Sequence, residues 1–128
     1  MSEVDSTLKD IKKTLGMVPG FMKALPEEVL IHEWPIWKRY TIEESEIPEK
    51  YRELMGLAIA ANIKCPYCLF FHNAMAKMAG ATNEELAEAA ILAGLTSRWS
   101  TMLHAQIYDM DNFEKEGQKI GEFLSKKK

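Results

Sequence analysis

Residues 48–72, PEKYRELMGLAIAANIKCPYCLFFH, join a long apolar segment to two closely spaced cysteines and a histidine. Pro66 suits the first turn of a helix, which places Cys65 at or near the N-cap of a helix over residues 66–79. Gly80 is a typical residue for ending that helix. The apolar segment before it is a second predicted helix, and because its later half is apolar all round, we expect that half to be buried on every side.

Helix signals dominate the rest of the chain, whereas hairpin signals and sustained period-two alternation are absent from the sequence. Thr82 and Glu85 form a capping-box pattern at the start of one helix. We therefore expect an all-α, single-domain helical bundle over residues 1–128, with the two cysteines at the N-terminus of a central helix. In the first half of the chain, helices are predicted over residues 5–15, from about Pro26 with a break or kink at Pro35, and from Pro48 to a break at 62–64. In the second half, helices are predicted over residues 66–79 and 83–95, the latter ending around Gly94 to Thr96. One or two further helices are predicted from Ser100 onward.

Composition and charge exclude several classes of function. The chain is 47% hydrophobic and 27% charged, as is usual for a globular protein, and its formal net charge of −3 provides no basic surface for nucleic acid or an anionic membrane. The opening MSEVDSTLKD is too polar for a signal peptide, and LMGLAIAA is too short to cross a bilayer. We expect a cytoplasmic protein, in which a C-x-x-C pair indicates redox chemistry or metal binding.

The spacing of the cysteines and the histidine suits thiol chemistry. On a helix, Cys65 and Cys68 lie about 60° apart around the axis, with Cα atoms about 5 to 5.5 Å apart, a separation that a disulfide tolerates. His72 follows Cys68 by four residues and therefore shares its helix face. A helix N-terminus, a C-x-x-C partner and a nearby imidazole each lower the pKa of a cysteine thiol and favour the reactive thiolate.

Two other interpretations of these residues stay open. Two buried, inert cysteines beside an unrelated histidine would give the same pattern. A zinc site could use three of these ligands, but a closed structural site needs a fourth, and His32 and His104 are distant in sequence. The CPYC tetrapeptide resembles the dithiol motif of glutaredoxins, but the βαβ pattern of that fold is absent.

The chain resembles the carboxymuconolactone decarboxylase/alkylhydroperoxidase AhpD-like family, whose redox members carry a glutamate twelve residues before C-x-x-C-x-x-x-H. Glu53, Cys65, Cys68 and His72 have this spacing, and the flanking GLAIAANIKCPYC and HNAMAKMAGATNEELAEAAILAG are similar as well. Many redox members carry a histidine between the cysteines, where this chain has Tyr67. The resemblance implies an all-α fold, usually a trimer or hexamer, and thiol-dependent peroxidase or disulfide reductase activity.

The resemblance also implies a role for each of the four residues. Glu53 and His72 would relay protons while Cys65 and Cys68 cycle between dithiol and disulfide. The substrate would be hydrogen peroxide or an organic hydroperoxide, and an external dithiol or thioredoxin-like protein would restore the thiols without a metal, flavin or haem. The helix dipole favours Cys65 as the attacking thiol and proximity to His72 favours Cys68; we assign the attack to Cys68 and resolution to Cys65.

Further expectations concern the surroundings of these residues. Tyr67, Phe70 and Phe71 flank the cysteines and are candidates for the wall of a substrate pocket, with core or subunit packing as the alternative. From the residues alone, Glu53 reads as part of a solvated helix face, although the apolar run after it could draw it inward. The apolar content predicts a homo-oligomer. Two other functions stay open: a lyase resembling the family's decarboxylases, which do not rely on a C-x-x-C pair, and a redox-sensing module without turnover.

Overall fold

The computed structural model describes residues 1–127. Within this range the chain forms seven helices and no β-strand, so the predicted all-α fold is confirmed. None of these helices combines the length and the apolarity needed to cross a bilayer. The helices are α1 (Glu3–Leu15), α2 (Gly20–Lys23), α3 (Glu27–Thr41), α4 (Glu49–Ile63), α5 (Pro66–Met78), α6 (Asn83–Ala105) and α7 (Met110–Ser125).

The first three helices form a small apolar cluster of their own. Ile11 of α1 is fully buried against Met22, Leu30 and Trp34. Asp10, one residue before Ile11, accepts hydrogen bonds from Trp34 Nε1 at 2.8 Å and from the Lys38 ammonium at 2.9 Å. These polar contacts fix α1 against α3 at the edge of the apolar cluster.

Helix α4 is the central element of the second half, because it packs most extensively against α5 and next against α6. Small buried residues allow the close approach: Ala60 on α4, Ala76 on α5, and Ala89 and Ala93 on α6. Polar contacts fix the registration of α4 against α6. Asn62 Nδ2, for example, donates to the Ala93 carbonyl at 3.3 Å.

A tight reversal joins α4 to α5. Lys64 ends α4 in the left-handed conformation, with a φ of 58°, and Cys65 follows as the N-cap of α5. The backbone N–H of Cys65 donates to the carbonyl of Ala60 at 3.1 Å, which ties the reversal to the last turn of α4. The predicted position of Cys65 at a helix start is thus confirmed.

Two predicted helix interruptions are wrong. Helix α6 does not end at Gly94 to Thr96 but continues to Ala105, and Thr96 Oγ1 donates to the Leu92 carbonyl of the same helix. A glycine costs an exposed helix about 1 kcal/mol, which the packing of neighbouring turns against α4 can outweigh. The predicted break at Pro35 is wrong as well, because Pro35 lies inside the continuous helix α3, where Trp34 before it and Lys38 after it both bond Asp10 of α1. A kink at Pro35 stays a prediction.

The predicted burial of α4 on every side is wrong for the single chain. Met55, Ile59 and Ile63 are between 51% and 66% exposed. Helices α5 and α6 cover two sides of α4, and among residues 1–127 no other element packs extensively on the side that carries these three residues. We refer to Met55, Ile59 and Ile63 below as the open face of α4.

The contacts of Asp10 predict a pH-dependent contribution to stability. Hydrogen bonds from Lys38 and Trp34 hold the pKa of Asp10 below its usual value of 3.8. A lowered carboxyl pKa stabilises the fold above the usual value, and this contribution is lost as the pH falls through the folded-state pKa. Because Asp10 is partly exposed and screened by solvent, we expect Asp10→Asn to lower the free energy of unfolding by only about 0.5–1 kcal/mol at pH 7.

Urea denaturation at pH 7 and at pH 3 measures this effect. The difference between Asp10→Asn and the parent protein should shrink at the lower pH. Glu114→Gln, at an exposed position of α7, is the control and should change stability little at either pH. A difference that is absent at pH 7, or that grows as the pH falls, would contradict the assigned role of Asp10.

Candidate active site

One face of α5 carries both cysteines and the histidine. Cys65, Cys68, His72 and Ala76 follow one another at intervals of three or four residues, so they form a stripe along the helix. Ala76 is fully buried, which shows that this stripe turns toward the interior. The structure joins Cys65 and Cys68 as a disulfide with a Cα separation of 5.3 Å, within the range expected for this spacing on a helix.

The sulfur of Cys65 occupies the N-cap position of α5. Its Sγ accepts a hydrogen bond from the backbone N–H of Cys68 at 3.2 Å. The first N–H groups of a helix have no partner within the helix, and they carry the positive end of its dipole. After reduction, the same amide is placed to stabilise a thiolate on Cys65.

Glu53 meets His72 across the interface of α4 and α5. The Glu53 side chain is buried, with a residue exposure of 2%, and its Oε2 lies 2.7 Å from Nδ1 of His72. When Glu53 is a carboxylate, Nδ1–H donates to it, and the neutral ring then keeps Nε2 free to accept a proton. The placement of Glu53 on a solvated face, inferred from the residues alone, is wrong, because the carboxylate has a buried partner that only the tertiary fold supplies.

The three flanking aromatic residues have different surroundings. Tyr67 and Phe70 are 86% and 80% exposed. The ring of Phe71 lies between two others, with centroid separations of 5.5 Å from His72 and 5.9 Å from Trp37 of α3. The structure therefore brings only Phe71 into contact with the Glu53–His72 pair, and the pocket role of all three residues stays a prediction.

Trp37 and Gly56 are neighbours of the site that the four-residue motif does not include. Trp37 stacks on Trp34 and lines an apolar groove of about 400 Å³ beside α2. Gly56 of α4 lies directly against the imidazole of His72. The sequence held one weak signal for Gly56, a glycine within a helix three residues after Glu53. Within residues 1–127, no group of three or more histidine, cysteine or carboxylate side chains is arranged so that it could hold a metal ion.

Comparisons with known proteins agree on one family. Residues 32–107 match the carboxymuconolactone decarboxylase family. An alkyl hydroperoxide reductase of Mycobacterium tuberculosis is 31% identical over 86 residues, which are 66% of this chain and 24% of that protein. The match therefore covers about a quarter of that relative's length. The crystal structure of an alkylhydroperoxidase AhpD core from Rhodospirillum rubrum has a TM-score of 0.73 and 26% identity, over 86% of this chain and 84% of that one.

The capping contact of Cys65 predicts different effects for two substitutions in the reduced protein. Serine is a favourable N-cap and alanine is not, so we expect Cys65→Ala to be less stable than Cys65→Ser by about 1 kcal/mol. Urea denaturation with excess reductant measures the difference without any contribution from the disulfide. Ser6→Ala, at an exposed position inside α1, is the control and should not lower stability. Equal stabilities of the two Cys65 variants would contradict a capping role.

Proposed function

This chain belongs to the carboxymuconolactone decarboxylase family, and we propose that it is a thiol-dependent peroxidase of the AhpD type. The observation that carries the proposal is a disulfide-forming pair at the start of α5, on the same helix stripe as a histidine bound to a buried carboxylate. The relatives named as an alkyl hydroperoxide reductase and an alkylhydroperoxidase core support the same chemistry. The pair also contrasts with the lyases of the family, which do not rely on a C-x-x-C motif.

In the first step, Cys68 attacks the peroxide. His72, held by Glu53 at Nδ1, takes the proton of the Cys68 thiol at Nε2. The thiolate then attacks one oxygen of the hydroperoxide, forming an S–O bond while the O–O bond breaks. Cys68 is oxidised by two electrons to a sulfenic acid, and the departing alkoxide receives the proton from His72 and leaves as an alcohol, or as water when the substrate is hydrogen peroxide.

In the second step, Cys65 resolves the sulfenic acid. Its sulfur attacks Sγ of Cys68, the S–S bond forms, and the hydroxyl leaves with a proton as water. An external dithiol or thioredoxin-like protein then supplies two electrons and two protons and restores both thiols. The Cys68 N–H that bonds Sγ of Cys65 favours this return, because a stabilised thiolate is a better leaving group.

These steps balance with peroxide and dithiol alone, so we propose that no metal, flavin or haem takes part. The need for a dithiol reductant favours a reducing compartment, and we propose the cytoplasm. Phe71 lies beside His72 and Trp37 lies beside Phe71, and this apolar surface favours an organic hydroperoxide as substrate.

We further propose that the chain assembles into a homo-oligomer, a trimer or hexamer. The open face of α4 is an apolar row at intervals of four residues, and Leu92 of the neighbouring helix α6 is also about half exposed, at 52%. Apolar surface of this kind is commonly covered by another subunit. A second copy of the chain would bury it.

The peroxidase proposal predicts catalytic consumption of hydroperoxide by the reduced protein with excess dithiol, and a Cys65–Cys68 disulfide that forms and disappears. The reduced Cys65→Ser variant, mixed with peroxide after the dithiol has been removed, should consume about one equivalent and retain a sulfenic acid on Cys68, detectable by a dimedone-type probe and peptide mass. Cys68→Ser should not react at the catalytic rate. Neither variant is expected to unfold, because serine preserves size and, at position 65, the cap.

Other outcomes of this experiment would replace the proposal. A disulfide that forms once without catalytic loss of peroxide would indicate a redox sensor. Unchanged peroxide consumption in a variant that carries both Cys65→Ser and Cys68→Ser would show that the thiols are not the catalytic groups. A sulfenic acid that forms on Cys65 in the Cys68→Ser variant, together with none on Cys68 in the Cys65→Ser variant, would reverse the assigned roles of the cysteines.

The assembly proposal predicts a mass above that of the 14.6 kDa monomer in light scattering at micromolar concentration. Ile59→Glu places a charge on the open face of α4 and should lower the mass toward the monomer, because an unpaired carboxylate is costly to bury. Ile59→Val keeps an apolar side chain and should retain the oligomer. A monomer mass for the parent protein would contradict the proposal.

A further inference from the structure

Gly56 lies inside α4, where its backbone is helical and a left-handed φ does not account for the glycine. A Cβ atom built at this position would lie 2.6 Å from Cε1, 2.7 Å from Nδ1 and 2.8 Å from Nε2 of His72. Real Cβ atoms essentially never come this close to another heavy atom. The imidazole of His72 therefore occupies the space that any other residue at position 56 would need.

Gly56 and Glu53 contact the same imidazole from one face of α4. They are three residues apart and therefore neighbours on the helix surface. Glu53 supplies the hydrogen-bond acceptor for Nδ1, and Gly56 supplies the space in which the ring lies. Together they make a seat for His72 that neither residue makes alone.

We propose that Gly56 is a positioning residue for the proton relay, because its lack of a side chain lets the His72 ring lie against α4 with Nδ1 on Glu53 and Nε2 available to the thiols. Where it concerns turnover, this inference rests on the proposed peroxidase function. Gly56 itself contacts neither substrate nor sulfur in this scheme. It acts through the orientation of the imidazole.

The histidine ring has little freedom to yield to a side chain at position 56. It is a rigid ring on two rotatable bonds, Nδ1 is held 2.7 Å from Glu53, and the ring of Phe71 stands at its edge. A methyl group at position 56 must therefore rotate the ring away or push α5 away from α4. Either movement lengthens the bond from Nδ1 to Glu53 and leaves a buried carboxylate without its partner.

The test compares Gly56→Ala with Gly94→Ala. Gly94 also lies inside a helix, but nothing lies within 4 Å of a Cβ built on it. In proton NMR, we expect a downfield imidazole N–H signal from His72, identified by its loss in His72→Ala. Gly94→Ala should keep this signal, and Gly56→Ala should lose it. Peroxide turnover should fall at least tenfold in Gly56→Ala and change less than twofold in Gly94→Ala.

A double-mutant cycle separates the contact with His72 from a general packing defect. Gly56→Ala should lower the melting temperature of the parent protein. In the His72→Ala background the same substitution should raise it, because the clash is gone and alanine favours the helix more than glycine does. If Gly56→Ala alone fails to fold, a double variant that folds supports the inference, and a double variant that also fails to fold overturns it.

The possible results separate this inference from the proposed function. An equal fall in melting temperature in both backgrounds, or an unchanged N–H signal in Gly56→Ala, would overturn the role of Gly56. If the parent protein consumes no peroxide while the signal and the double-mutant cycle behave as expected, the peroxidase proposal fails and the seat for His72 stands. Full turnover in Gly56→Ala would overturn the positioning role even if the protein is less stable.

Discussion

The hydrogen bond between Glu53 and His72 constrains how α5 packs against α4. A carboxylate in a residue that is 2% exposed must have a polar partner, and α5 supplies one by bringing His72 Nδ1 to within 2.7 Å of Glu53 Oε2. The imidazole can lie against α4 because Gly56 has no side chain, and the neighbouring contact residues Ala60 and Ala76 are small and buried. The packing of α4 against α5 and the geometry of the site are thus set by the same residues.

The reversal between the two helices adds the thiols to this arrangement. Lys64 adopts a left-handed backbone conformation that costs a non-glycine residue about 1 kcal/mol, and the reversal starts α5 at Pro66. Cys65 thereby becomes the N-cap, and two turns later the same helix presents His72 to Glu53. One helix therefore supplies the electrostatic stabilisation of a thiolate at its first turn and a proton acceptor on its next turns.

The features that the sequence predicted correctly depend on local chemistry. The N-cap at Cys65 and the capping box of Thr82 and Glu85 involve residues within one turn of each other, and the all-α class follows from many such signals. Local signals failed where distant residues decide. Gly94 is a local signal for a helix end, although packing carries α6 past it. The residues around Glu53 predict a solvated position, because its buried partner is 19 residues away in sequence.

The prediction that α4 is buried on every side failed for a different reason, which lies in how the apolar residues are distributed around the helix. Glu53, Gly56 and Ala60 form the face toward α5, whereas the open face of α4 lies about a quarter turn away around the helix axis. A helix with apolar residues on a third side, beyond the two that face α5 and α6, has no clear polar side in its sequence, so its pattern predicts complete burial. Within residues 1–127, however, this third side is left uncovered.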